Sequence, residues 1–500
     1  MKPIRPTRWW SSLLLVLAAP LQAQSTLPSP LPLEEALDLA RRHSPVYAQV
    51  RNDLDAAAWQ VRSAYASWIP SFNVGGGIGW QGVGDQSFGA ITAGQLGLAD
   101  QPSYLTSSYS LSSNLQINGR TLLAPSQAKA EQNASEASVR SGAAQLDFAI
   151  TQAYLAVLRA EQGRTLAAQE LERARFNARL AQARRDVGAA SQLDVAQAEV
   201  AVGRAQVNLL QSETTLHTAR LRLAQGVGLP LGDTLVLPSS FELAEPVWSE
   251  DELYQAAIDG NPGLAALRAN EEASDVGVRM ARTEYLPSLS LSASIGGFAR
   301  QASNTTSLIQ GAMSQANQQI DQCEALNELF RRLTDPLPTE DCTRFAFTDT
   351  QRQAIESSND VFPFDFTRNA PSLSLSLSLP VFQGLNRQRQ VEVARVQRDD
   401  LRWRIREQEL QLQTDIAAGL AAVRNGYAGA LIEQRNQEYA SEQLRLAQEQ
   451  YRIGSVSFID LVEAETVKAQ ADRALIDAVF TYHENLASLE SLVGTSLRSR

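Results

Sequence analysis

Apolar positions in this chain follow two periods, and the switch between them marks out the elements. From Ser288 to Ile295 serine alternates with Leu289, Leu291, Ala293 and Ile295, and Ser372 to Leu379 alternates serine with leucine throughout. A period of two gives a strand with one apolar and one polar face. Strands are therefore expected at 288–298 and 371–382, with weaker counterparts at 71–81 and 106–117. Elsewhere apolar residues recur at helical spacing, as at Leu146, Ile150, Tyr154 and Val157, or at Leu444, Ala447 and Tyr451. Residues 126–229 and 381–500 contain no proline and are rich in Ala, Gln, Leu, Glu and Arg, the strong helix formers. Each stretch is broken once, at Val187-Gly188-Ala189-Ala190 and at Ile453-Gly454-Ser455-Val456, where glycine ends one helix and a new one starts. Each therefore reads as a helix of roughly 65 residues, a tight turn and a second helix of roughly 36, the longer one about 100 Å in length.

These elements are written twice. Ala40 to Phe72 reappears in pattern at Ala257 to Leu289, so that Ser44-Pro45 answers Asn261-Pro262 and Trp68-Ile69-Pro70-Ser71 answers Tyr285-Leu286-Pro287-Ser288, a shift of 217. Further on the shift becomes 266: Gly188 matches Gly454, Ser191 matches Ser457, Asp194 matches Asp460, and Val227-Gly228 matches Val493-Gly494. The expected organisation is a first repeat over 24–229 with its hairpin at 121–228, a linker at 230–248 carrying Pro230, Pro238 and Pro246, and a second repeat over 249–500 with its hairpin at 385–494. Each repeat opens with a helix of about 35 residues, near 33–67 and 250–284. The second repeat has a longer connection between its strands, 299–369, in which 306–333 has the pattern of an amphipathic helix.

Composition narrows the compartment. Lys2, Arg5 and Arg8 precede an apolar stretch and Leu21-Gln22-Ala23, the form of a secretory signal over 1–23. Its apolar core is short of the roughly 20 residues a spanning helix needs. Removing it lowers the formal charge from −11 to −14, an acidity that argues against nucleic-acid binding. Cys323 and Cys342 are the only cysteines and share one polar segment. In an exported chain a disulfide between them is expected, with metal binding or a reactive thiol as the alternatives. The three histidines stand apart from one another, and no nucleophile–base set, metal spacing or phosphate loop is present. Gly77-Ile78-Gly79-Trp80-Gln81-Gly82 matches a dinucleotide fingerprint in letters only, because no helix pattern follows it. Nothing in the chain calls for a cofactor or a catalytic function.

Each strand run is about 10 residues long, enough for a tilted strand to cross a bilayer. Trp68, Trp80, Tyr104, Tyr109, Tyr285 and Phe382 flank the runs as interfacial aromatics do. Four strands cannot close a barrel, and open edges are not tolerated in lipid. Other subunits must complete the sheet, and three chains would supply a 12-stranded barrel. The serine faces then line a neutral, open pore.

The duplicated order of helix, Pro-Ser strand, strand, long helix, Gly-turn and helix, with Tyr451-Arg452-Ile453-Gly454-Ser455-Val456-Ser457-Phe458-Ile459-Asp460 and Ala464, resembles the TolC-like outer membrane efflux protein family. The resemblance covers nearly everything after about residue 33. It implies a mainly α fold with membrane β: duplicated α-helical hairpins plus four β-strands per chain, and a homotrimer whose β-barrel in the outer membrane is continuous with an α-barrel in the periplasm. It also implies a periplasmic adaptor (membrane fusion) protein and an inner-membrane pump or ABC transporter as partners, in an efflux or type I secretion system. A periplasmic coiled-coil structural or adaptor protein is the competing reading. It would leave the alternating strands and their aromatic ends without a purpose.

Asp460 and Glu463 lie three apart after Gly454 and can point from one helix face, forming stacked carboxylate rings in a threefold assembly. Ser457 with Asp460, like Ser191 with Asp194, also has the spacing of a capping box. In the family, a tyrosine, an arginine and an aspartate link neighbouring hairpins and hold the periplasmic entrance shut. Tyr451 and Asp194 fall at matching positions, whereas Val456 occupies the arginine position, so a weaker constriction is expected. Tyr451 as an interhelix packing residue is the alternative. Val187, Gly188, Ile453 and Gly454 form the turns that the resemblance implies meet the adaptor; a left-handed turn would by itself call for the glycines.

Overall fold

The structure is a computed structural model that describes residues 27–83, 87–88, 91–92, 102–232, 235–238, 242–335 and 337–498. The signal segment 1–23 lies outside the described residues, as do 233–234 and 239–241 of the linker. The chain divides into two compact units. One is helical and comprises the residues up to Arg62, Ser126–Arg279 and Arg389 onward; the other, built on strands, comprises Ser63–Pro125 and Met280–Gln388.

The helical elements run in matched pairs. Helices α1 (Leu33–His43) and α2 (Pro45–Ala66) answer α5 (Glu250–Gly260) and α6 (Pro262–Arg282). The opening helix of each repeat is thus two helices rather than one of about 35 residues. Pro45 and Pro262 cannot donate the hydrogen bond that would continue the first helix, and they push the preceding residue out of helical geometry, with Ser44 and Asn261 extended at ψ 120° and 116°. The hairpins match in length: α3 (Gly119–Asp186) and α9 (Asn386–Ile453) have 68 residues each, α4 (Gln192–Val227) and α10 (Phe458–Val493) have 36.

Each repeat packs its own core, and the two cores correspond under the two shifts. Ile150, Val157, Leu223 and Val227 in the first stand where Ile416, Val423, Leu489 and Val493 stand in the second, with Ala40 and Ala257 completing them from α1 and α5. One pair is exchanged. Tyr154 on α3 faces the first core where the second has Leu420, and Tyr482 on α10 faces the second core where the first has Leu216. Both tyrosines are fully buried and both hydroxyls find an acceptor in the chain ahead of the opening helix: Tyr154 donates to the Leu31 carbonyl at 3.0 Å, Tyr482 to that of Ala244 at 2.7 Å. A buried phenol needs such a partner.

The strand unit is an antiparallel sheet in the order β1 (Ser71–Gln81), β4 (Tyr104–Ile117), β5 (Ser288–Ala302), β7 (Ser372–Ser378), with the short β6 (Thr367–Arg368) also on β5. A separate two-stranded pair joins β2 (Ser87–Phe88) to β3 (Ile91–Thr92). Gly77 to Gln81 lie within β1, so the glycine-rich run is strand. The central ladder pairs Tyr104 with Ala302 through to Ile117 with Leu289. Registered partners share a face, so Ser110, Ser112, Asn114 and Gln116 align with Gly296, Ser294, Ser292 and Ser290, and these in turn with Ser372, Ser374 and Ser376. Ser292–Ser374 and Ser294–Ser372 hydroxyls bond across the strands at 2.6 and 2.7 Å. The opposite face carries exposed Val74, Ile78, Leu111, Leu291, Leu373, Leu375 and Leu377.

The connection beyond β5 folds into α7 (Thr306–Arg331), a 3₁₀ turn at Cys342–Phe345 and α8 (Asp349–Ser358). A Cys323–Cys342 disulfide joins α7 to the 3₁₀ turn with a Cα–Cα distance of 5.7 Å. Asn327 packs beside it and clasps the Glu340 backbone in both directions, accepting from its N–H at 2.9 Å and donating to its carbonyl at 2.8 Å. The segment before β6 returns over the apolar end of the sheet, where Phe366 stacks edge-on against Tyr109 and the Pro363 carbonyl accepts from Ser107.

Gly228 and Gly494 end α4 and α10 in the left-handed region, at φ 84° and 81°. A Cβ on either would sit 2.3 Å from a backbone oxygen at the end of the opening helix, that of His43 or of Gly260. Gly494→Ala is therefore expected to destabilise the folded chain by about 2 kcal/mol or more, from the left-handed backbone and an immovable clash together. Gly203→Ala, mid-helix with nothing within 4 Å of the added methyl, should instead stabilise by about 0.5–1 kcal/mol. Thermal melts followed by circular dichroism compare the two.

Candidate functional site at the hairpin tips

The turns between α3 and α4 and between α9 and α10 close in the same way. Ala189 N–H donates to the Arg184 carbonyl and Ser455 N–H to that of Gln450, with Gly188 at φ 74° and Gly454 at 81° supplying the left-handed residue. Val187 and Ile453, the neighbours of those glycines, are 79% and 75% exposed. Ser191 and Ser457 then start α4 and α10 with full capping boxes. Asp460 accepts from the Ser457 N–H at 2.8 Å and from its hydroxyl at 2.7 Å, and these bonds hold its carboxyl below the usual carboxylate range. Asp194 repeats the arrangement with Ser191 at 2.7 and 2.9 Å. Both aspartates thus turn one carboxylate oxygen back onto their own helix start. Glu463, one turn further along α10, is exposed.

Tyr451 turns into the cluster at the tip. It is 5% exposed, packed in a cluster with Val195, Leu461 and Phe458, its ring centroid 5.8 Å from that of Phe458. The packing alternative is the geometry it adopts in the single chain. Above its ring, at 4.4 Å, lies the guanidinium of Arg184, whose Nη1 also donates to the Tyr451 carbonyl at 2.7 Å. Burial pushes the Tyr451 hydroxyl up, Arg184 draws it back, and Asp194 adds to the rise. Arg184, on α3 of the first repeat, thus holds Tyr451 from above, while Val456 is half-buried against the same cluster. Nothing in the repeat pattern pointed there: the second-repeat counterpart of Arg184 is Gln450. The available signal was a cation in the last turn of a helix, where free carbonyls attract it.

Arg184 is the tip end of a ladder between the repeats. Arg159 on α3 pairs with Asp477 at 2.6 Å, Arg473 on α10 with Glu170 at 2.7 Å, and Asn177 donates to Glu465. Glu170 also accepts from Asn208 on α4, and Gln437 on α9 donates to Asp472 on α10. Over the body of the hairpins these bonds run in the order α4, α3, α10, α9, with α4 and α9 at the flanks, while at the tip Arg184 on α3 bonds α9 directly. A groove of about 870 Å³ lies over α3 between α4 and α10 and begins at the tip; Leu193, Val200, Ile459 and Val462 line it between Arg173 and Arg204.

Glu465 stands in the wall of this groove, and its carboxyl is raised, first by burial, with Asn177 and Arg173 opposing the rise. A raised carboxyl pKa means that the folded form holds its proton more tightly than the unfolded form. The penalty of a buried charge is then absent below the ordinary value of 4.5 and develops as pH rises through the folded value. Glu465→Gln should therefore melt higher than wild type at pH 7, with the difference closing below about pH 4.5; an equal difference at both pH values would contradict it.

Among the described residues no His, Cys, Asp and Glu cluster could hold a metal ion, and no helix is long and apolar enough to cross a membrane. The chain is 27% identical over 195 residues to the fusaric acid resistance protein of Burkholderia cepacia and 31% identical over 160 residues to the pyoverdine export outer membrane protein of Pseudomonas aeruginosa. These matches take in 39% and 31% of this chain and span 37% and 33% of the relatives' own lengths. Over 93% of this chain and 96% of the other, the fold is similar to that of the outer membrane protein VceC of Vibrio cholerae, with a TM-score of 0.63 at 17% identity. The pattern of the family described as outer membrane efflux protein matches residues 36–229 and 346–495, both hairpins included. With its duplicated hairpins, its amphipathic sheet and this match over more than half its length, the chain belongs to the outer membrane efflux protein family.

Proposed function

We propose that this chain is the outer-membrane channel subunit of a tripartite efflux or type I secretion system, a passive conduit from periplasm to exterior. One observation carries the reading: the sheet has a serine, amide and glycine face, an exposed leucine face, and two unpaired edge strands, β1 from the first repeat and β7 from the second. In lipid the leucine face is at home and the unpaired edges are not. Further copies, each joining its β1 to the β7 of the next, remove every edge, and a head-to-tail contact of this kind closes into a ring.

The helices support the same closure. Along α9, Val396, Trp403 and Leu410 are exposed at sevenfold spacing, and after a one-residue drift Ile432, Tyr439, Leu446 and Ile453 continue it. A sevenfold apolar stripe is a coiled-coil seam, and its partner here is a helix of the neighbouring copy. Three copies make the homotrimer that family membership suggests. The groove at the tips suits a periplasmic adaptor, whose helical hairpin would lie on Leu193, Val200, Ile459 and Val462 with acids toward Arg173 and Arg204. Val187, Gly188, Ile453 and Gly454 are the adjoining contact points, and the pump or ABC transporter engages through the adaptor. The printed names of the relatives, fusaric acid resistance and pyoverdine export, point to chemically different cargoes, which fits a conduit whose selectivity resides in the pump.

At the periplasmic end the constriction rests on the Arg184 link together with Glu463 and the outward oxygen of Asp460. Arg184→Gln removes a charge-assisted hydrogen bond of about 1.5–3 kcal/mol, so purified trimers in planar bilayers should dwell open about tenfold longer. Asp460→Ala/Glu463→Ala should enlarge the openings and reduce their cation selectivity. Unchanged pores in that double variant would leave both acids as structural groups only. No conductance from well-folded wild type would favour the periplasmic structural reading over the channel.

A further inference from the structure

The described strands carry two charged side chains, Arg300 and Arg368, and both lie toward the end of the ladder where β4 begins and β5 ends, opposite Ile117 and Leu289. Alternation puts them on opposite faces. Arg300 is registered with Thr106 and shares its parity with Ser288, Ser290, Ser292 and Ser294. Arg368 is registered with Gly297, one position out of that set. The neighbours agree with the parity: the side chain of Gln301 turns to the other face and accepts from the Phe362 N–H at 3.0 Å, beneath the segment that covers the apolar side. Arg300 is exposed and stacks on Tyr104, its guanidinium 3.7 Å from the ring centroid. An aromatic partner fixes a guanidinium without cancelling its charge.

From Ser71 and Ser288 outward, the serine face otherwise presents Ser, Thr, Asn, Gln and Gly, with Tyr104 and Phe298 beside the arginine. Such a surface hydrates an ion of either sign alike. Among the described strand residues, charge on this face is left to one position.

We propose that Arg300 is a specificity-determining residue for export, forming with its counterparts in the other copies a cationic ring at the outer mouth that favours anionic solutes there. The inference rests on the channel reading and adds to it a sign and a place. The periplasmic tip presents carboxylates and the outer mouth presents guanidinium groups, and the strand face beside the ring is neutral. A pore charged oppositely at its two ends rectifies, because one current direction accumulates ions inside and the other depletes them. Carboxylate-bearing cargo gains from the ring on leaving, while small cations meet a barrier to re-entry.

Reversal potentials of purified trimers in planar bilayers, across a KCl gradient centred near 0.01 M, test this, because the Debye length there is about 30 Å and the ring's field reaches across the lumen. Arg300→Gln should lower the chloride-over-potassium permeability ratio by about twofold or more, and Arg300→Glu should lower it further; both effects should vanish near 1 M salt, where the Debye length is about 3 Å. Arg300→Lys, which keeps the charge, and Arg368→Gln, on the other face, should behave as wild type. A wild-type ratio at low salt from both Arg300→Gln and Arg300→Glu, as heat-stable trimers, would overturn the proposal while leaving the channel intact. A shift in Arg368→Gln with none in Arg300→Gln would overturn it by reversing the faces. Absence of conductance from wild type and every variant would instead remove the channel reading, and this proposal with it.

Discussion

The pairing of β4 with β5 is the constraint on which the strand unit depends. It is the one long ladder in which the first repeat meets the second, and it fixes the parity of every strand beside it. A slip of one residue would turn Leu289, Leu291 and Ile295 onto the serine side and interrupt the row of hydroxyls. Because the register holds from Tyr104 to Ile117, most polar residues of the four strands fall on one surface and the leucines on the other. A surface with two such faces suits lipid on one side and water on the other, and the proposed pore follows from that difference.

Both units show how a duplicated chain leaves work for its neighbours. In the sheet the flanking strands are β1 and β7; in the helical unit the flanking helices are α4 and α9. Each pair takes one member from each repeat. The inner elements, β4 with β5 and α3 with α10, satisfy one another within the chain through backbone pairing and through Arg159, Arg473 and Asn177. Internal contacts between repeats are therefore used up in the middle of each layer, and the surfaces left over at its two sides come from different repeats. The proposed ring uses that asymmetry, since a head-to-tail contact joins unlike surfaces.

Much of this architecture was legible because it rests on periodicity and repetition. The serine–leucine alternation located β5 and β7, the glycines at 188 and 454 located the turns, and the shifts of 217 and 266 recur in the packed cores. What escaped was set by contacts between residues far apart in the chain. The prolines at 45 and 262 split each opening helix, a local effect that the continuous apolar pattern on either side conceals. Tyr451 has the same helical spacing whether it lines an opening or fills a cluster, and its contacts with Phe458 and Arg184 come from other helices. Arg184 has no equivalent in the other repeat, so comparing the halves could not single it out. The return of the chain over Tyr109 depends on Phe366, more than 250 positions away, in a part of the connection with no period of its own.

The exchange of tyrosine and leucine between the two cores bears on how such a chain can change over time. Tyr154 and Tyr482 sit at different positions of equivalent hairpins, and each has one buried acceptor waiting for it. A recombination tract that copied only part of α3 onto α9 would set a second tyrosine at position 420, in the core that already holds Tyr482. A tract copying part of α10 onto α4 would do likewise at 216, in the core of Tyr154. Such an event forces an extra phenol ring into a closed core. The two halves are thereby insulated from homogenisation, and each is free to specialise as its own sequence.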